Sequence, residues 1–283
     1  MENAFTILPM SQNFILTPGK TYTGSITIVN PVNSTSDFAY SVSVSPYNVI
    51  GEDYQADITT VSAYSQIAEW VTIAEPTGSI APNESREVEF TITVPEDARP
   101  GGQYAAIMVS SDPSKQQSEG VSINNVFALA SIVYADVEGE VTHEGTILEN
   151  NVPEFSTTTP ISVSALLDNH GNVHETAIVT LNVSNAVTGE KIFPTDEDQN
   201  NRFSEIVMPE TTRYINRNID NLPVLGIIKV EQTVYYNNEV STVVKDVILC
   251  PIWFFCLVLL VITSIIGFIT FSVRHHRRKK SNI

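Results

Sequence analysis

Two histidines, His170 and His174, stand four residues apart in the run DNHGNVH. On a helix this spacing would bring both imidazoles to one face and suit a metal ion such as zinc. Here a Gly-Asn pair lies between them, which predicts a turn between two strands, where the rings need not converge. The sequence therefore favours two structural histidines, and a metal chelate is not predicted.

Three consecutive carboxylates, Asp196, Glu197 and Asp198, lie in the polar run PTDEDQNN at residues 194–201. Carboxylates bind calcium in loops, but an EF-hand loop needs glycine at its sixth position and glutamate at its twelfth, and this run has neither. A solvated acidic loop is the favoured interpretation.

Other motifs of catalysis are missing from the sequence. It contains no G-x-S-x-G, H-E-x-x-H, P-loop or G-x-G-x-x-G motif. The two cysteines, Cys250 and Cys256, both lie in an apolar run, which excludes a disulfide framework or a cysteine nucleophile elsewhere. A glycosidase needs two carboxylates across a groove, which sequence does not reveal, so an extracellular hydrolase is the least favoured alternative. We predict no enzyme activity, no cofactor and no metal.

The charge is distributed unevenly along the 283 residues. The first 246 residues carry all 32 acidic side chains against ten basic ones, a formal charge of −22. Such a body repels nucleic acid and anionic lipid, so no nucleic-acid partner is predicted. It favours solubility and is compatible with cationic partners.

Residues 248–273 contain no charged side chain and predict contact with the lipid bilayer as one transmembrane helix. Twenty-six helical residues extend about 39 Å, more than the ~30 Å hydrocarbon core requires. A buried core helix would need a large helical domain around it, and the sequence predicts none. The basic residues that follow predict a cytoplasmic tail and an extracellular body. The predicted anchor flanks are Trp253, Arg274, Arg277, Arg278, Lys279 and Lys280.

The first ten residues, MENAFTILPM, do not have the pattern of an export signal. We expect that upstream codons are missing, that the start is assigned too late, or that the signal has been removed. A tail-anchored cytosolic protein is the competing interpretation, and the charge bias of the tail opposes it.

Period-2 patterns indicate short strands along the body. In residues 86–94, Val88, Phe90, Ile92 and Val94 alternate with polar residues, and residues 18–30 follow the same pattern. Further strands are predicted at 37–45, around Trp70 as a core residue, and at 104–110 and 125–134, with a loop at 51–57. Strand-sized runs about every ten residues, separated by turn residues, are typical of a β-sandwich.

A second set of strands follows a polar boundary. Ile161, Val163, Ala165 and Leu167 alternate, and two later runs pair across Asn237-Asn238. The predicted fold class is all-β, with two tandem Ig-like β-sandwiches and one transmembrane helix. The predicted domains are a pilus-chaperone-like sandwich (1–136), a second sandwich (137–246), the helix (247–273) and the basic tail (274–283).

Four segments carry a resemblance to a known family: PGKTYTGSITIVN, IAPNESREVEFTITVPEDARPGGQYAAIMV, NHGNVH and IVMPETTRY. With the C-terminal anchor, they resemble the WxL-interacting cell-surface proteins of Gram-positive bacteria and similar proteins of candidate-phylum bacteria. MPET stands where that family commonly has a Pro-Gly. The resemblance implies a surface role in binding cell-wall peptidoglycan, partner surface proteins or host matrix, and a first domain similar to a pilus chaperone. It identifies no binding residue.

Two functional hypotheses follow. The first is a cell-surface adhesion or scaffold protein that contacts the cell wall or surface proteins through edges and loops. The second is a membrane-anchored assembly chaperone for exported surface subunits, which holds them at an exposed sheet edge.

Overall fold

The structure is a computed structural model that describes residues 5–111, 128–194 and 201–280, with side chains of the last helix described as far as Phe271. Most of the described residues lie in strands. The all-β fold class of Ig-like β-sandwiches followed by an apolar C-terminal helix is confirmed. The chain folds into two compact units. The first unit comprises Met1–Thr146, Leu167–Thr176 and Ile206–Tyr214, and the second comprises Ile147–Leu166, Ala177–Glu205 and Ile215–Ile283.

The first sandwich is built from two sheets and a small hairpin. Its strands are β1 (Thr6–Leu8), β2 (Ser11–Leu16), β3 (Thr21–Val29), β4 (Phe38–Pro46), β5 (Asn48–Ile50), β6 (Gln55–Asp57), β7 (Val71–Ile73), β8 (Thr77–Ile80), β9 (Ser85–Thr93), β10 (Gly101–Ser111) and β11 (Ala128–Val137). One sheet has the order β1-β3-β9-β7 and the other has the order β2-β11-β10-β4-β8. The strands β5 and β6 form the hairpin.

Two segments of this sandwich change from one sheet to the other. The chain pairs with β3 along β1, passes Pro9 and Met10, and then pairs in parallel with β11 along β2. In the same way β7 pairs with β9, whereas β8 pairs with β4 in the opposite sheet. Each of these edge strands is therefore short, which is one way in which β-proteins avoid uncontrolled edge pairing.

The alternation predicted for residues 86–94 identifies side chains that form the core of the first sandwich. Val88, Phe90 and Ile92 of β9 are buried, while Glu87 and Glu89, which alternate with them, are exposed. Gly24 of β3 leaves room for the Phe90 ring, because a Cβ at Gly24 would lie 2.3 Å from that ring. The residue that pairs with Phe90 must therefore be small.

Two local predictions were wrong. Trp70 does not lie on a strand, because it ends the short helix α1 (Ile67–Trp70); it is only partly buried against the core. The loop predicted at residues 51–57 is the turn and second strand of the β5–β6 hairpin, because Asn48–Ile50 pair with Gln55–Asp57.

The strands that follow residue 145 form two more sheets. They are β12 (Gly145–Asn151), β13 (Phe155–Ser156), β14 (Ile161–Asn169), β15 (Glu175–Asn185), β16 (Lys191–Phe193), β17 (Arg202–Val207), β18 (Thr211–Ile219), β19 (Gly226–Tyr236) and β20 (Glu239–Leu249). A three-stranded sheet has the order β12-β14-β18, and a six-stranded sheet has the order β13-β20-β19-β15-β16, with β17 also on β15. Their core is mainly aliphatic and includes Val163, Leu181 and Val230. The domain boundaries proposed from the sequence stay a prediction.

The last element is the helix α2 (Ile252–Lys280). It begins at Ile252 and not at residue 247, because Val247, Ile248 and Leu249 complete β20 by pairing with Ile228, Ile227 and Gly226. Its first 20 residues, Ile252–Phe271, are long and apolar enough to cross a membrane, and none of that stretch is buried within the protein.

Candidate functional site

Within the described part of the chain, an edge of the first sandwich is open along the first four residues of β11. All of β11 from Ala128 onward is paired with β10 on one side. On the other side β2 pairs only with Ile132–Val137. Among the residues that the structure describes, no strand covers the outer side of residues 128–131.

The backbone groups of Ala128 and Ala130 point out of this open edge. The Ile132 N–H donates to the Met10 carbonyl across the β2 side, at 3.0 Å. Because N–H groups along a strand point alternately to its two sides, those of Ala130 and Ala128 face the same way. These two residues can therefore hydrogen-bond to an added strand without disturbing the pairing with β10.

Leu129 is the apolar residue that this edge leaves uncovered. It lies on the same face of β11 as Ser131, Val133, Ala135 and Val137, all of which are buried. Leu129 is nevertheless 38% exposed, and Met10, which adjoins the edge, is 65% exposed. The Ser131 hydroxyl donates to the Pro9 carbonyl at 2.8 Å, so the edge opens directly beyond this bond. We define the open edge as Ala128–Ser131 together with Met10.

A tyrosine-lined crevice of about 250 Å³ forms a second concave feature of the first unit. Tyr47, Tyr64 and Tyr104 line it together with polar side chains from the β5–β6 hairpin, among them Asn48 and Asp57. Residues 208–211, which belong to the same unit, close its other side.

Hydrogen bonds hold the crevice in place. The Tyr54 hydroxyl accepts the Met208 N–H at 2.9 Å and contacts the Thr211 hydroxyl. The Arg213 guanidinium stacks on the Tyr54 ring with its Cζ 4.5 Å from the ring centroid. Burial raises the pKa of Tyr54 and lowers the pKa of Arg213. These ring faces and amide groups are suited to binding.

His174 is part of a partly buried polar cluster. The backbone N–H of His174 donates to the Tyr104 hydroxyl at 2.8 Å, and the His174 Nδ1 lies 3.8 Å from an Asp136 carboxylate oxygen. Burial lowers the pKa of His174, and burial raises the pKa of Tyr134 to about 12. A neutral imidazole is therefore favoured at neutral pH.

The structure separates the two predicted histidines. His170 is exposed and pairs with Asp168 at 2.8 Å, while His174 faces Tyr104. Among the described residues, no group of three or more His, Cys, Asp or Glu is placed to hold a metal ion. Asp196, Glu197 and Asp198 lie outside the described residues.

The predicted anchor flanks lie on α2. Trp253 is exposed in its first turn, and the backbone of Arg274, Arg277, Arg278, Lys279 and Lys280 continues the same helix. Their role at a membrane stays a prediction. The sequence indicated neither the open edge nor the crevice residues. The run NVFALASIVY predicted a strand, but only its pairing with β2 reveals where it is uncovered.

Comparison with known proteins gave structural similarities only. No protein-family model matches the chain, and no curated protein matches it in sequence. Similar solved structures include the class 5 fimbriae chaperone CfaA, at 10% identity and a TM-score of 0.41, covering 86% of this chain and 99% of that one. A CsuC–CsuE chaperone–tip subunit complex of Acinetobacter baumannii matches at 11% identity and a TM-score of 0.42, covering 86% and 98%. The E. coli chaperone DraB matches at 12% and 0.38, covering 86% and 97%. TM-scores this low carry no argument about function, which has to be argued from the residues.

Proposed function

We propose that this protein is a membrane-anchored assembly chaperone that holds an extended segment of a surface protein at the open edge. The helix α2 crosses the membrane, the acidic body lies outside and the basic tail lies in the cytoplasm. The observation that carries the proposal is Leu129, an inward-facing position that is exposed beside two alanines whose backbone groups face outward.

An added strand would supply hydrogen-bond partners to the outward backbone groups of this edge and would also cover its exposed apolar side chain. Its backbone would pair with Ala128 and Ala130, and each such hydrogen bond contributes a net ~0.5–1.5 kcal/mol. One of its apolar side chains would cover Leu129, whose full burial stabilises by roughly 1.5–3 kcal/mol. The favoured partner is thus an extended segment in which apolar and polar residues alternate.

The shortness of the edge favours temporary holding over permanent attachment. Only residues 128–131 of β11 lack a β2 partner, so an added strand gains few ladder bonds. A chaperone must release its subunit, whereas a lasting adhesive contact needs a larger buried area. Of the two hypotheses drawn from the sequence, we therefore prefer the assembly chaperone to the adhesion protein.

The test uses the full chain in detergent micelles and a synthetic peptide in which valine and threonine alternate between terminal lysines. The measurement is amide hydrogen exchange along β11. We expect the peptide to slow exchange at Ala128 and Ala130, because their outward N–H groups gain acceptors. Ala130→Pro should abolish this protection without unfolding the sheet, since it removes only an outward N–H group.

The matched control is Asn13→Pro in β2. The backbone N–H of Asn13 points away from β11, because the N–H and C=O groups of the even-numbered residues of β2 face β11. Asn13→Pro should leave the protection of Ala128 and Ala130 intact. Protection lost with Asn13→Pro but retained with Ala130→Pro would place the peptide on β2 and refute the proposal. Unchanged exchange with the wild type would refute it as well.

The tyrosine-lined crevice favours adhesion or scaffolding as a second candidate function. Its aromatic faces and amide groups are suited to a polar surface ligand such as cell-wall peptidoglycan, which the family resemblance implies. Tyr47→Ala should then reduce binding of the chain to purified sacculi, while Ala130→Pro should not. Equal binding by wild type and Tyr47→Ala would remove this candidate.

The resemblance to the WxL-interacting cell-surface proteins is likewise part of the proposal. It accounts for a partner on the cell surface and for a body outside the membrane. We also propose that the protein has no enzymatic activity, because its described features are suited to binding rather than to turnover.

A further inference from the structure

We infer that the end of the second unit from which α2 departs rests in the lipid interface of the membrane that α2 crosses. The inference rests on the proposed membrane anchoring and goes beyond it. A helix alone would tether the sandwich. The residues described below would also seat it on the bilayer.

A row of exposed apolar residues crosses the six-stranded sheet at this end. Phe155 of β13 pairs with Ile248 of β20, and Ile248 pairs with Ile227 of β19. Paired residues point to the same face of a sheet, and all three side chains are exposed. Isolated exposed apolar residues are ordinary, but a contiguous apolar surface marks an interaction site.

The loops at the same end extend this surface. Val224 and Leu225 immediately precede β19 and lie beside the end of β20, because Gly226 pairs with Leu249. The Ala186 N–H donates to the Ile227 carbonyl at 3.0 Å, which brings the β15–β16 turn alongside. In that turn Val187 is 82% exposed, and Val224 is 60% exposed. We call the six residues Phe155, Val187, Val224, Leu225, Ile227 and Ile248 the apolar base.

Charge is sparse around the apolar base. The segments 221–228, 186–189 and 247–271 contain no Asp, Glu, Lys or Arg. Beside Phe155, the exposed Glu154 carboxylate is paired with Lys245 at 3.2 Å. The first charged pair of the sheet, Lys229 opposite Asp246, lies two residues further from the helix. The sheet thus changes from apolar to charged along its length, as a surface half immersed in an interface requires.

The position of the helix fixes the depth of the base. The apolar stretch Ile252–Phe271 has 20 residues, and at ~1.5 Å per residue it extends about 30 Å, which equals the hydrocarbon thickness. Phe255 therefore lies roughly 4.5 Å inside the boundary when the stretch is centred. The Phe155 ring contacts the Phe255 ring with centroids 6.1 Å apart. Phe155 must then reach the level at which the acyl chains begin.

The connection leaves little room for the base to lift away. Leu249 ends β20 and Ile252 begins α2, with Cys250 and Pro251 between them. The Cys250 N–H donates to the Ser156 carbonyl at 2.9 Å, and the Ile248 N–H donates to the Glu154 carbonyl at 3.0 Å. β13 thereby holds the chain down to the last residue before Pro251. Because the apolar base continues directly into α2, we infer that lipid is what covers it.

The test measures how deep single side chains lie in phosphatidylcholine nanodiscs. In the full chain with Cys250→Ser and Cys256→Ser, a spin label is attached at Val224→Cys, Val187→Cys or Val244→Cys. Val244 is the matched control, because it is an exposed valine of β20 four residues before Ile248. We expect labels at 224 and 187 to collide several-fold more with oxygen than with a soluble nickel complex, and the label at 244 to show the reverse.

The outcomes separate this inference from the proposed anchoring. Alkaline extraction that releases the chain from vesicles would overturn the anchoring and the base together. If the chain resists extraction but all three labels collide mainly with the soluble nickel complex, the anchoring stands and the inference about the apolar base is refuted. Val224→Glu combined with Leu225→Glu provides a second measurement, because it should shift the label at 187 toward nickel without releasing the chain. An unchanged label at 187 in that variant would also count against the base.

Discussion

The open edge of the first unit and the apolar base of the second unit both expose apolar side chains, but they differ in their backbone. At the open edge, Ala128 and Ala130 present backbone groups that β2 does not reach. At the apolar base, the Ile248 N–H is already bonded to the Glu154 carbonyl, and the Ile227 carbonyl already accepts the Ala186 N–H. The acyl chains of a lipid offer no hydrogen bonds, whereas a peptide strand offers them along its whole length.

The comparison teaches how to distinguish two kinds of partner. An exposed apolar residue beside an unpaired backbone favours an extended peptide. Exposed apolar residues over a fully paired backbone favour an acyl chain or another side chain. Leu129 belongs to the first kind, and Ile248 to the second.

Introducing a negative charge into one region at a time should produce the largest effect. Leu129→Glu should weaken binding of the valine–threonine peptide about tenfold or more, which corresponds to ~1.4 kcal/mol, because the carboxylate would be buried under the added strand. The same variant should leave the spin label at residue 187 at its membrane depth. Val224→Glu with Leu225→Glu should do the opposite. Hydrogen exchange and collision measurements on the same preparations check both.

If either variant impaired both readouts, the two regions would not act separately and the comparison would fail. Circular dichroism of each variant provides the folding control. Val244→Glu, an exposed position outside both regions, should affect neither readout.

A smaller effect should come from pH and should be confined to the first unit. Burial lowers the pKa of His174 below its unfolded value of about 6.5. As pH falls below 6.5 the unfolded chain therefore takes up the proton first, and folding stability falls by at most ~1.4 kcal/mol per pH unit until the folded pKa is reached. Above pH 6.5 this contribution is fully retained. His174→Gln should flatten the difference in stability between pH 7.5 and pH 5.5.

Urea unfolding followed by the fluorescence of Trp70, in a Trp253→Phe background, measures this effect in the first unit. A pH dependence of stability that persists unchanged with His174→Gln would contradict the assignment.

The strands were predictable because buried apolar residues alternate with polar residues along each of them. The alternation Val88, Phe90, Ile92 requires only local sequence, and the structure buries these three residues. Trp70 shows the limit, since a bulky apolar residue is compatible with a strand and with the end of a short helix. The end of the strand β20 was missed for a related reason. Val247–Leu249 are as apolar as the helix that follows, and only their pairing with β19 distinguishes them.

The open edge and the crevice were not predictable from local patterns. Leu129 continues the buried series of β11, so its exposure depends on where β2 begins, more than 110 positions away in the sequence. The crevice joins Tyr47, Tyr104 and Met208 from distant parts of the chain. The Gly-Asn pair between His170 and His174 correctly predicted a turn between two strands, but it gave no sign that His174 would meet Tyr104.

The two residues between β20 and α2 have a mechanical consequence. A joint of Cys250 and Pro251, with Cys250 bonded to β13, is too short and too constrained to act as a swivel. A helix that tilts to match a thinner bilayer must then incline the second sandwich with it. If α2 crosses the membrane as proposed, bilayer thickness sets the angle at which this sandwich stands on it.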